Sequence, residues 1–259
     1  MPSAIITGGN SGIGKATAVV FAERGFDVGI TWHEARRGAE ETLEELRAHG
    51  VRAEAVQMDL DTADVAELPE RAAAVDELMG QLGGVDVFVN NHGAGHTTPF
   101  LDLEYETFVR TVAIDLTGSF LCLQKAARRM VQQGRGGRLI AVTSVHEHVP
   151  LEGSSAYTTS KHGLGGLVKT MALELAEHGI TVNAVAPGEI ATKMTGQEDE
   201  DPRQEDREGV PAGRPGHARE IGEAIAYLAS DGARYTTGHS LVVDGGMLLM
   251  AAMANQLAQ

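Results

Sequence analysis

The stretch TGGNSGIG at Thr7–Gly14 decides the fold, because it joins a short apolar run to a helical pattern that begins at Ile13. Glycines at a strand-to-helix junction permit a tight turn, close approach of backbone N–H groups to a phosphate and close packing of the helix on the strand. The positive end of the helix also favours an anion. The segment therefore predicts a turn that holds the pyrophosphate of a dinucleotide. An ordinary glycine-rich turn without a ligand is the alternative.

Apolar, β-rich runs alternate with helical patterns along the whole chain, which is typical of a parallel sheet wound on both faces. We therefore predict an α/β fold: a single doubly wound Rossmann domain over residues 1–259, with a parallel seven-stranded sheet and helices on both faces. The strand runs are Ala4–Thr7, Asp27–Thr31, Arg52–Met58, Val85–Asn90, Arg138–Thr143, Thr181–Ala186 and Leu241–Asp244. The helical patterns are Ile13–Glu23, Arg37–His49, Val65–Leu82, Tyr105–Gln132, Tyr157–Glu177 and Ala218–Ala229.

Composition and charge exclude several classes of protein. The 259 residues carry 21 basic and 36 acidic side chains, a net charge of −15. Such a chain repels nucleic acid and anionic lipid, so we expect neither as a partner. We find no apolar run long enough to span a membrane and no secretory signal, and the single Cys122 has no partner for an internal disulfide. We expect a cytoplasmic protein that acts on a small molecule.

The residues after the second strand run bear on which dinucleotide is bound. An NAD site usually has an aspartate or glutamate there, which holds the ribose 2′-OH. In this sequence Trp32 and His33 occupy the position, and Arg36 and Arg37 follow. These groups could receive a 2′-phosphate, whereas Glu34 argues for NAD, and the arginines could be solvated charges at a helix start. We favour NADP(H) over NAD(H).

Tyr157 and Lys161 lie four residues apart in a helical pattern, so their side chains share one helix face. A neighbouring ammonium stabilises a phenolate and brings a phenol closer to the range in which it can transfer protons at neutral pH. Ser144 follows a strand run, at the sheet edge where active sites collect, and its hydroxyl could orient a substrate oxygen. Alone, the tyrosine–lysine pair would be an ordinary surface pair. Together with Ser144 and the glycine turn, it predicts a catalytic site.

This set of residues resembles the short-chain dehydrogenase/reductase family, and the resemblance covers essentially the whole chain. It rests on the glycine turn, Asp59 after the third strand run, Asn90-Asn91-His92-Gly93 after the fourth, the set Ser144, Tyr157 and Lys161, Asn183 before Pro187-Gly188, and Asp244-Gly245-Gly246 near the C-terminus.

The resemblance implies an NAD(P)-dependent oxidoreductase that transfers hydride between a nicotinamide cofactor and a ketone or secondary alcohol. Tyr157 would then be the general acid or base, Lys161 would stabilise its phenolate and hold the nicotinamide ribose, and Ser144 would orient the carbonyl. The family also implies a homotetramer in which Tyr105–Gln132 and Tyr157–Glu177 pack between subunits. The expected cofactor-binding residues are Gly8, Asn10, Ser11, Gly12, Ile13, Gly14, Trp32, His33, Asp59, Leu60, Asn91, Gly93, Tyr157, Lys161, Pro187, Gly188, Ile190 and Thr192.

Two positions depart from the family pattern. Asp115 stands where the family usually has a fourth catalytic residue, an asparagine whose backbone carbonyl holds a proton-relaying water. The carbonyl survives this change, but a carboxylate there could pair with Lys161 and weaken its effect on Tyr157, so we expect activity with a shifted pH profile. His92 stands where the family usually has alanine. It could contact the nicotinamide or a substrate, although simple packing is the more ordinary role for one histidine.

The substrate is expected to be small and polar. In the family, residues just after the serine and just after Pro-Gly line the substrate site, which points to His146 and Glu189. These side chains favour sugars, polyols or acetoin-like compounds, although His146 could instead be a surface residue. The acidic segment 189–216 resembles the family's substrate lid and would disfavour anionic substrates. His146, His148, His92 and His96 do not make a convincing metal site, so we expect no metal.

Two other functions remain open from the sequence alone. A 3-oxoacyl-type ketone reductase would use the same catalytic residues on a longer substrate. A non-catalytic NAD(P)-binding regulator would keep the glycine turn but lose turnover; the intact Ser144, Tyr157 and Lys161 argue against it, and Asp115 is the single feature in its favour. A dehydrating or epimerising branch of the family has no positive sign in the sequence.

Overall fold

Seven parallel strands form one sheet in the computed structural model, which describes residues 1–95, 97–192, 195–196, 201–202 and 204–250. The strands are β1 (Ser3–Ile6), β2 (Asp27–Trp32), β3 (Ala53–Gln57), β4 (Val87–Asn90), β5 (Gly137–Val142), β6 (Ile180–Pro187) and β9 (Ser240–Val243). Their order in the sheet is β3-β2-β1-β4-β5-β6-β9, and every neighbouring pair is parallel. The α/β, doubly wound fold predicted from the sequence is confirmed.

Helices cover both faces of this sheet. The principal helices are α1 (Gly12–Glu23), α2 (Arg36–Ala48), α3 (Leu68–Arg71), α4 (Ala73–Leu82), α5 (Tyr105–Val112), α6 (Ser119–Gln133), α7 (Ser155–Leu175) and α8 (Ala218–Ala229). Apolar residues of α1, α2 and α8 share one core layer with the sheet, and those of α4, α6 and α7 share the other. Successive residues of β1 divide between the layers, since Ile5 packs into one and Ala4 and Ile6 into the other.

Two helical patterns are divided into shorter elements. The pattern at 65–82 begins with a 3₁₀ turn, Val65–Glu67, and continues as α3 and α4. Pro69 lies in the first turn of α3, where proline is tolerated because the N–H that it lacks has no helical partner there. The pattern at 105–132 forms a continuous rod in which a π-helical turn, Ala113–Gly118, separates α5 from α6.

The core on the α4, α6 and α7 side is closely packed around Cys122. This thiol is fully buried on α6, and its Sγ lies 3.9 Å from Sδ of Met58. Burial raises the pKa of Cys122 to about 12, so the folded protein keeps it as a thiol. None of the helices in the described ranges is long and apolar enough to cross a membrane.

The sheet order reverses direction beside β1, and this reversal places the site. The chain runs β1, β2, β3 toward one edge and then crosses to β4 on the other side of β1. A crevice opens at such a switch point, beyond the carboxyl ends of the strands. A short parallel ladder, β7 (Ile190–Ala191) with β8 (Gly216–His217), joins the two ends of the 189–216 segment next to this crevice.

Candidate active site

A cleft of about 420 Å³ lies beyond the carboxyl ends of β1, β4, β5 and β6. It runs from the glycine turn to the helix that carries Tyr157 and Lys161. Most of the residues predicted to bind cofactor or to catalyse meet there. The predicted residues that line the cleft are Gly8, Asn10, Ser11, Gly12, Ile13, Gly14, His33, Asn91, Gly93, Ser144, Tyr157, Lys161, Pro187, Gly188, Ile190 and Thr192.

The glycine turn offers an uncapped helix N-terminus to this cleft. No side chain of the described residues caps α1 at Ser11, and its first turn carries no acidic residue. Gly12 has a φ of +51°, and a Cβ at Gly14 would lie 2.1 Å from the carbonyl oxygen of Gly8. The first-turn N–H groups therefore face the cleft in a turn that only glycine can form. This arrangement fits the pyrophosphate of a dinucleotide.

Asn91 binds the glycine turn to the end of β4. Its backbone N–H donates to Oγ1 of Thr7 at 2.8 Å, and its side-chain amide donates to the carbonyl oxygen of Thr7 at 2.9 Å. The same amide lies 3.3 Å from the carbonyl oxygen of Gly8. The asparagine thus ties the floor of the cleft to the Thr7 hydroxyl and to the carbonyl oxygens of Thr7 and Gly8.

His92 continues this network into the π-helical turn. Its Nδ1 lies 2.8 Å from Oγ1 of Thr7, and its Nε2 lies 3.2 Å from the carbonyl oxygen of Ile114. A carbonyl oxygen only accepts, so Nε2 carries the proton and Nδ1 accepts from the threonine hydroxyl. Burial, with a smaller effect from the charge of Lys161, lowers the pKa of His92 to about 4. The ring is therefore neutral and structural, in line with the packing role.

Ser144, Tyr157 and Lys161 converge from two elements. Ser144 follows β5, and its Oγ accepts the backbone N–H of His146 at 3.1 Å, which fixes the hydroxyl at the start of a 3₁₀ turn. Tyr157 and Lys161 are one turn apart on α7 and line the same cleft. Nζ of Lys161 lies 5.2 Å from the centroid of the tyrosine ring. The four-residue spacing of Tyr157 and Lys161 thus places both side chains on one face of α7, as the sequence predicted.

Asp115 lies behind Lys161, outside the cleft lining. Its side chain is fully buried, and its Oδ2 is 3.7 Å from Nζ of Lys161. Burial raises the pKa of Asp115 above its usual value, against opposing effects of Lys161 and of the Ala94 N–H. Burial also opposes the charge of Lys161, but Asp115 and Tyr157 outweigh it, so the pKa of Lys161 is raised. The backbone carbonyl of Asp115 accepts the hydroxyl of Ser119 at 2.8 Å.

The opposite end of the cleft carries the residues that follow β2 and β3. The His33 ring lines the cleft, and its Nε2 lies 3.1 Å from Oδ1 of Asp59. Trp32 is half-buried against the core, and Leu60 is buried. The cleft lining includes none of Trp32, Asp59 and Leu60. Glu34 does line it.

Arg36 and Arg37 point elsewhere. They are mostly exposed at the start of α2 and pair with Glu40 and Glu41, one helical turn along. Their charges are therefore largely satisfied locally, outside the cleft lining.

The two predicted substrate residues lie beside the cleft rather than in its lining. The His146 ring packs edge-on against Tyr157, with the ring centroids 6.2 Å apart. Glu189 follows Gly188 of the lining, and its Oε1 accepts Nε of Arg207 at 2.8 Å. This ion pair links the end of β6 to the acidic segment, much of whose charge lies outside the described residues.

Several lining residues were not predicted as site residues: Ala35, Val142, Thr143 and Thr195 all contribute to the cleft. Glu34, which in the sequence argues for NAD, also lines it. Ala35 has a left-handed backbone with a φ of 58°, which a sequence pattern does not reveal for alanine. Thr195 reaches the site because its hydroxyl donates to the carbonyl oxygen of Ile190 at 2.9 Å.

The histidines near the site are held apart. Nδ1 of His146 contacts the carbonyl oxygen of Val149, whereas Nε2 of His148 contacts Oγ of Ser240. Across the part of the chain that the structure describes, no group of three His, Cys, Asp or Glu side chains could hold a metal ion. His96 lies outside the described residues.

Comparison with known proteins assigns the chain to a family. Residues 8–248 match the sequence model of the family described as enoyl-(acyl carrier protein) reductase. The chain is 52% identical over 246 residues to the uncharacterized oxidoreductase YohF of Escherichia coli strain K12, covering 95% of each protein. It is 40% identical to the L-rhamnose 1-dehydrogenase (NAD(P)(+)) of Azotobacter vinelandii, over 95% of this chain and 96% of that protein. It is 37% identical to the 3-oxoacyl-[acyl-carrier-protein] reductase FabG of Staphylococcus epidermidis, over 95% and 99%.

Solved structures agree with this assignment. The acetoin dehydrogenase YohF from Salmonella typhimurium superposes with a TM-score of 0.88 at 51% identity, over 96% of this chain and 98% of that one. The acetoin dehydrogenase from Enterobacter cloacae gives 0.88 at 49% identity, over 96% of each chain. The chain therefore belongs to the short-chain dehydrogenase/reductase family. Within that class it is an NAD(P)-dependent oxidoreductase that acts on CH–OH and C=O groups.

Proposed function

We propose that the enzyme interconverts a small, uncharged hydroxy ketone and its alcohol, of the acetoin, polyol or sugar kind. The observation that carries this proposal is a single cleft bounded at one end by the uncapped N-terminus of α1 and at the other by Ser144, Tyr157 and Lys161. A dinucleotide fits the first end, and a carbonyl group fits the second.

Proton transfer is assigned to Tyr157. A bound nicotinamide cofactor supplies or accepts the hydride. In ketone reduction the phenol of Tyr157 gives its proton to the carbonyl oxygen, which becomes the hydroxyl of the product. In alcohol oxidation the phenolate takes this proton back. Lys161, 5.2 Å from the ring centroid, stabilises the phenolate, and the Ser144 hydroxyl donates to the same substrate oxygen and orients it.

The remaining catalytic and cofactor assignments include groups that line the cleft and groups that lie behind or beside it. Asp115 is assigned as the fourth member of the catalytic set, acting behind Lys161. Phosphate is assigned to the glycine turn, the nicotinamide ribose to Tyr157 and Lys161, and the carboxamide to Ile190 and Thr192. Trp32, Asp59 and Leu60 are assigned to the adenine end, which adjoins the cleft through His33.

The polarity of the substrate is inferred from His146. Nδ1 of this ring lies 3.1 Å from the carbonyl oxygen of Val149, so Nδ1 donates to that oxygen and Nε2 is left as the second polar atom of the ring. A second hydroxyl on the substrate could donate to Nε2 while its carbonyl faces Tyr157, 6.2 Å away between ring centroids. Two similar structures are named acetoin dehydrogenases, and one relative is named a rhamnose dehydrogenase. The compounds in these names carry hydroxyl groups as well as a carbonyl group.

A second candidate is 3-oxoacyl reduction, which is supported by the FabG relative. The acidic segment 189–216 disfavours it, because carrier-bound acyl groups are anionic. We propose that this segment acts as a lid. Its two ends are held together by the β7–β8 ladder, and Glu189 holds Arg207.

NADP(H) is the cofactor that we propose as preferred. Trp32 rather than a carboxylate ends β2, and the His33 ring lines the cleft with its Nε2 3.1 Å from Oδ1 of Asp59. Glu34 opposes this preference, and the arginines of α2 are paired locally, so His33 is the group assigned to a 2′-phosphate. We also propose a cytoplasmic homotetramer.

The decisive experiment follows nicotinamide absorbance with both cofactors and a panel of acetoin, polyols, sugars and a 3-oxoacyl thioester. We expect turnover of the hydroxylated compounds and higher kcat/KM with NADPH. Tyr157→Phe is the control and should lose about 10²- to 10⁴-fold in kcat while still binding cofactor. A strict preference for the thioester would favour the second candidate. Cofactor binding without any turnover would identify a regulator instead.

A further inference from the structure

A second concavity, the α4–α6 groove, lies between the helices α4 and α6, away from the active-site cleft. Its volume is about 410 Å³, and it shares no lining residue with the cleft. This volume is within the range of pockets that bind small molecules. The side chains that line it are Asp76 and Met79 of α4 and Lys125, Arg128, Arg129 and Gln132 of α6.

Three cations of this lining share one face of α6. Lys125, Arg128 and Arg129 are spaced i, i+3 and i+4 along the helix, so they are neighbours on its surface. Like charges at this spacing repel each other and destabilise a helix. Asp76 supplies the one carboxylate of the lining, and its Oδ2 pairs with Nζ of Lys125. This ion pair compensates the lysine and leaves the two arginines.

The two arginines have no carboxylate partner within the described part of the chain. Arg128 is exposed and makes no ion pair there. Nη2 of Arg129 donates to the carbonyl oxygen of Gly83 at 3.2 Å, which caps the end of α4. This acceptor is neutral, and Nε of Arg129 is buried without a partner among those same residues.

The rest of the surface shows that such arginines are not typical of this chain. Arg36 and Arg37, which are exposed on α2, each pair with a glutamate one turn along the helix. Carboxylates are abundant, since the chain has 36 acidic residues and a net charge of −15. The α4–α6 groove nevertheless keeps two positive charges that no carboxylate of the described residues compensates. An anionic ligand would compensate them and relieve the repulsion along α6.

The chemistry of the lining favours a phosphate monoester over other anions. A guanidinium group can donate two parallel N–H bonds to the oxygens of a phosphate. A phosphate monoester carries about two negative charges at neutral pH, which matches the two arginines. Met79 is buried and adds an apolar side chain to the lining, where the organic part of the ligand can pack.

We propose that the α4–α6 groove binds an organic phosphate monoester through the guanidinium groups of Arg128 and Arg129. The site is additional to the cofactor cleft and takes no part in hydride transfer. It therefore does not rest on the proposed function, and a ligand there leaves the glycine turn free for the dinucleotide.

Isothermal titration calorimetry with phenyl phosphate tests this proposal. Excess NAD⁺ is present throughout to occupy the glycine turn, and NAD⁺ itself carries no phosphate monoester. We expect the parent protein to bind one phenyl phosphate per chain, with an affinity that falls as salt is added. Benzoate, which carries a single negative charge, should bind about 10-fold more weakly.

The double variant Arg128→Gln/Arg129→Gln should bind phenyl phosphate about 10- to 100-fold more weakly, because it lacks the charged donors. The matched control is Arg36→Gln/Arg37→Gln, which removes two positive charges outside the groove and should bind as the parent does. If the first double variant does not fold, Arg128→Gln alone, at an exposed side chain, is compared with Arg37→Gln.

Three results would overturn the proposal. The parent could fail to bind phenyl phosphate, the groove variant and its control could lose affinity equally, or benzoate could bind as tightly as phenyl phosphate. Equal losses in the two variants would show that only the net charge of the protein matters. Equal binding of benzoate would show that the groove does not select a doubly charged phosphate.

Discussion

His92 links the cofactor turn to the catalytic helix region through both of its ring nitrogens. One nitrogen accepts from Thr7 at the end of β1, and the other donates to Ile114 in the π-helical turn. Alanine, the usual family residue, can make neither bond. In this chain the histidine therefore braces the turn that presents Asp115 to Lys161, a role that the sequence leaves open because it depends on which atoms face the ring.

The neutral state of His92 makes stability depend on pH. Burial lowers its pKa to about 4, whereas an unfolded histidine titrates near 6.5. The unfolded state therefore binds an extra proton as the pH falls below about 6.5, and stability is lost until the folded pKa is reached. Between pH 7 and pH 5 the parent should lose about 2 kcal/mol more than His92→Ala, as measured by urea unfolding at both pH values. Equal losses in the two proteins would contradict this linkage.

At the scale of elements, α7 and the turn after β5 are locked together by Glu147. This carboxylate accepts hydroxyl hydrogens from Thr143 and Ser240, joining β5 to β9, and it packs directly on Gly165 of α7. A Cβ at Gly165 would lie 2.3 Å from Oε1 of Glu147. The turn that carries Ser144 is thus held at a fixed distance from the helix that carries Tyr157.

Gly165→Ala should therefore be costly. The added methyl must displace Glu147, and overpacking of this kind costs about 1–3 kcal/mol. We also expect kcat to fall, because Ser144 and Tyr157 move apart. Gly80→Ala on α4 is the control: nothing lies within 4 Å of its added Cβ, so it should be neutral or stabilising by up to about 1 kcal/mol. Thermal unfolding and steady-state kinetics measure both effects, and a Gly165→Ala protein as stable and active as the parent would be evidence against the lock.

The secondary structure elements also show how much of the fold could be predicted from the sequence. The strands and most helices were predictable because apolar runs and glycine stops are local signals. The π-helical turn at 113–118 was not, since one extra residue in a helix leaves no local pattern, yet it decides where Asp115 points. The cleft lining was largely predictable from Thr7–Gly14 and the strand ends. Contributions such as Ala35 and Thr195 depend on loop paths that sequence does not specify.

At the scale of the molecule, the long helices leave apolar side chains in solvent. Leu173 on α7 is 83% exposed, Tyr105 on α5 is 81% exposed, and Phe120 on α6 is also exposed. Exposed apolar groups on neighbouring helices are typical of surfaces that meet another subunit. They support the proposed tetramer built on these helices.

The tetramer predicts a solution mass of about four times the 27.3 kDa chain. Leu173→Glu should reduce this mass, because a carboxylate in an apolar interface is not solvated. Val65→Glu, at an exposed apolar residue outside the long helices, should leave it unchanged. Light scattering coupled to gel filtration measures the mass, and a parent protein that elutes as a 27.3 kDa species would rule out the assembly.

The buried Cys122 can be used as a probe of how fast the core of this enzyme opens. Its thiol is the single one in the sequence, and burial raises its pKa to about 12, so a disulfide reagent reacts with it only when the α4–α6 layer opens. Labelling kinetics of the unmodified protein should therefore follow the opening of its core, and should slow when a dinucleotide bound in the cleft stabilises the whole fold. Labelling as fast as that of a free thiol would mean that this layer opens independently of the rest.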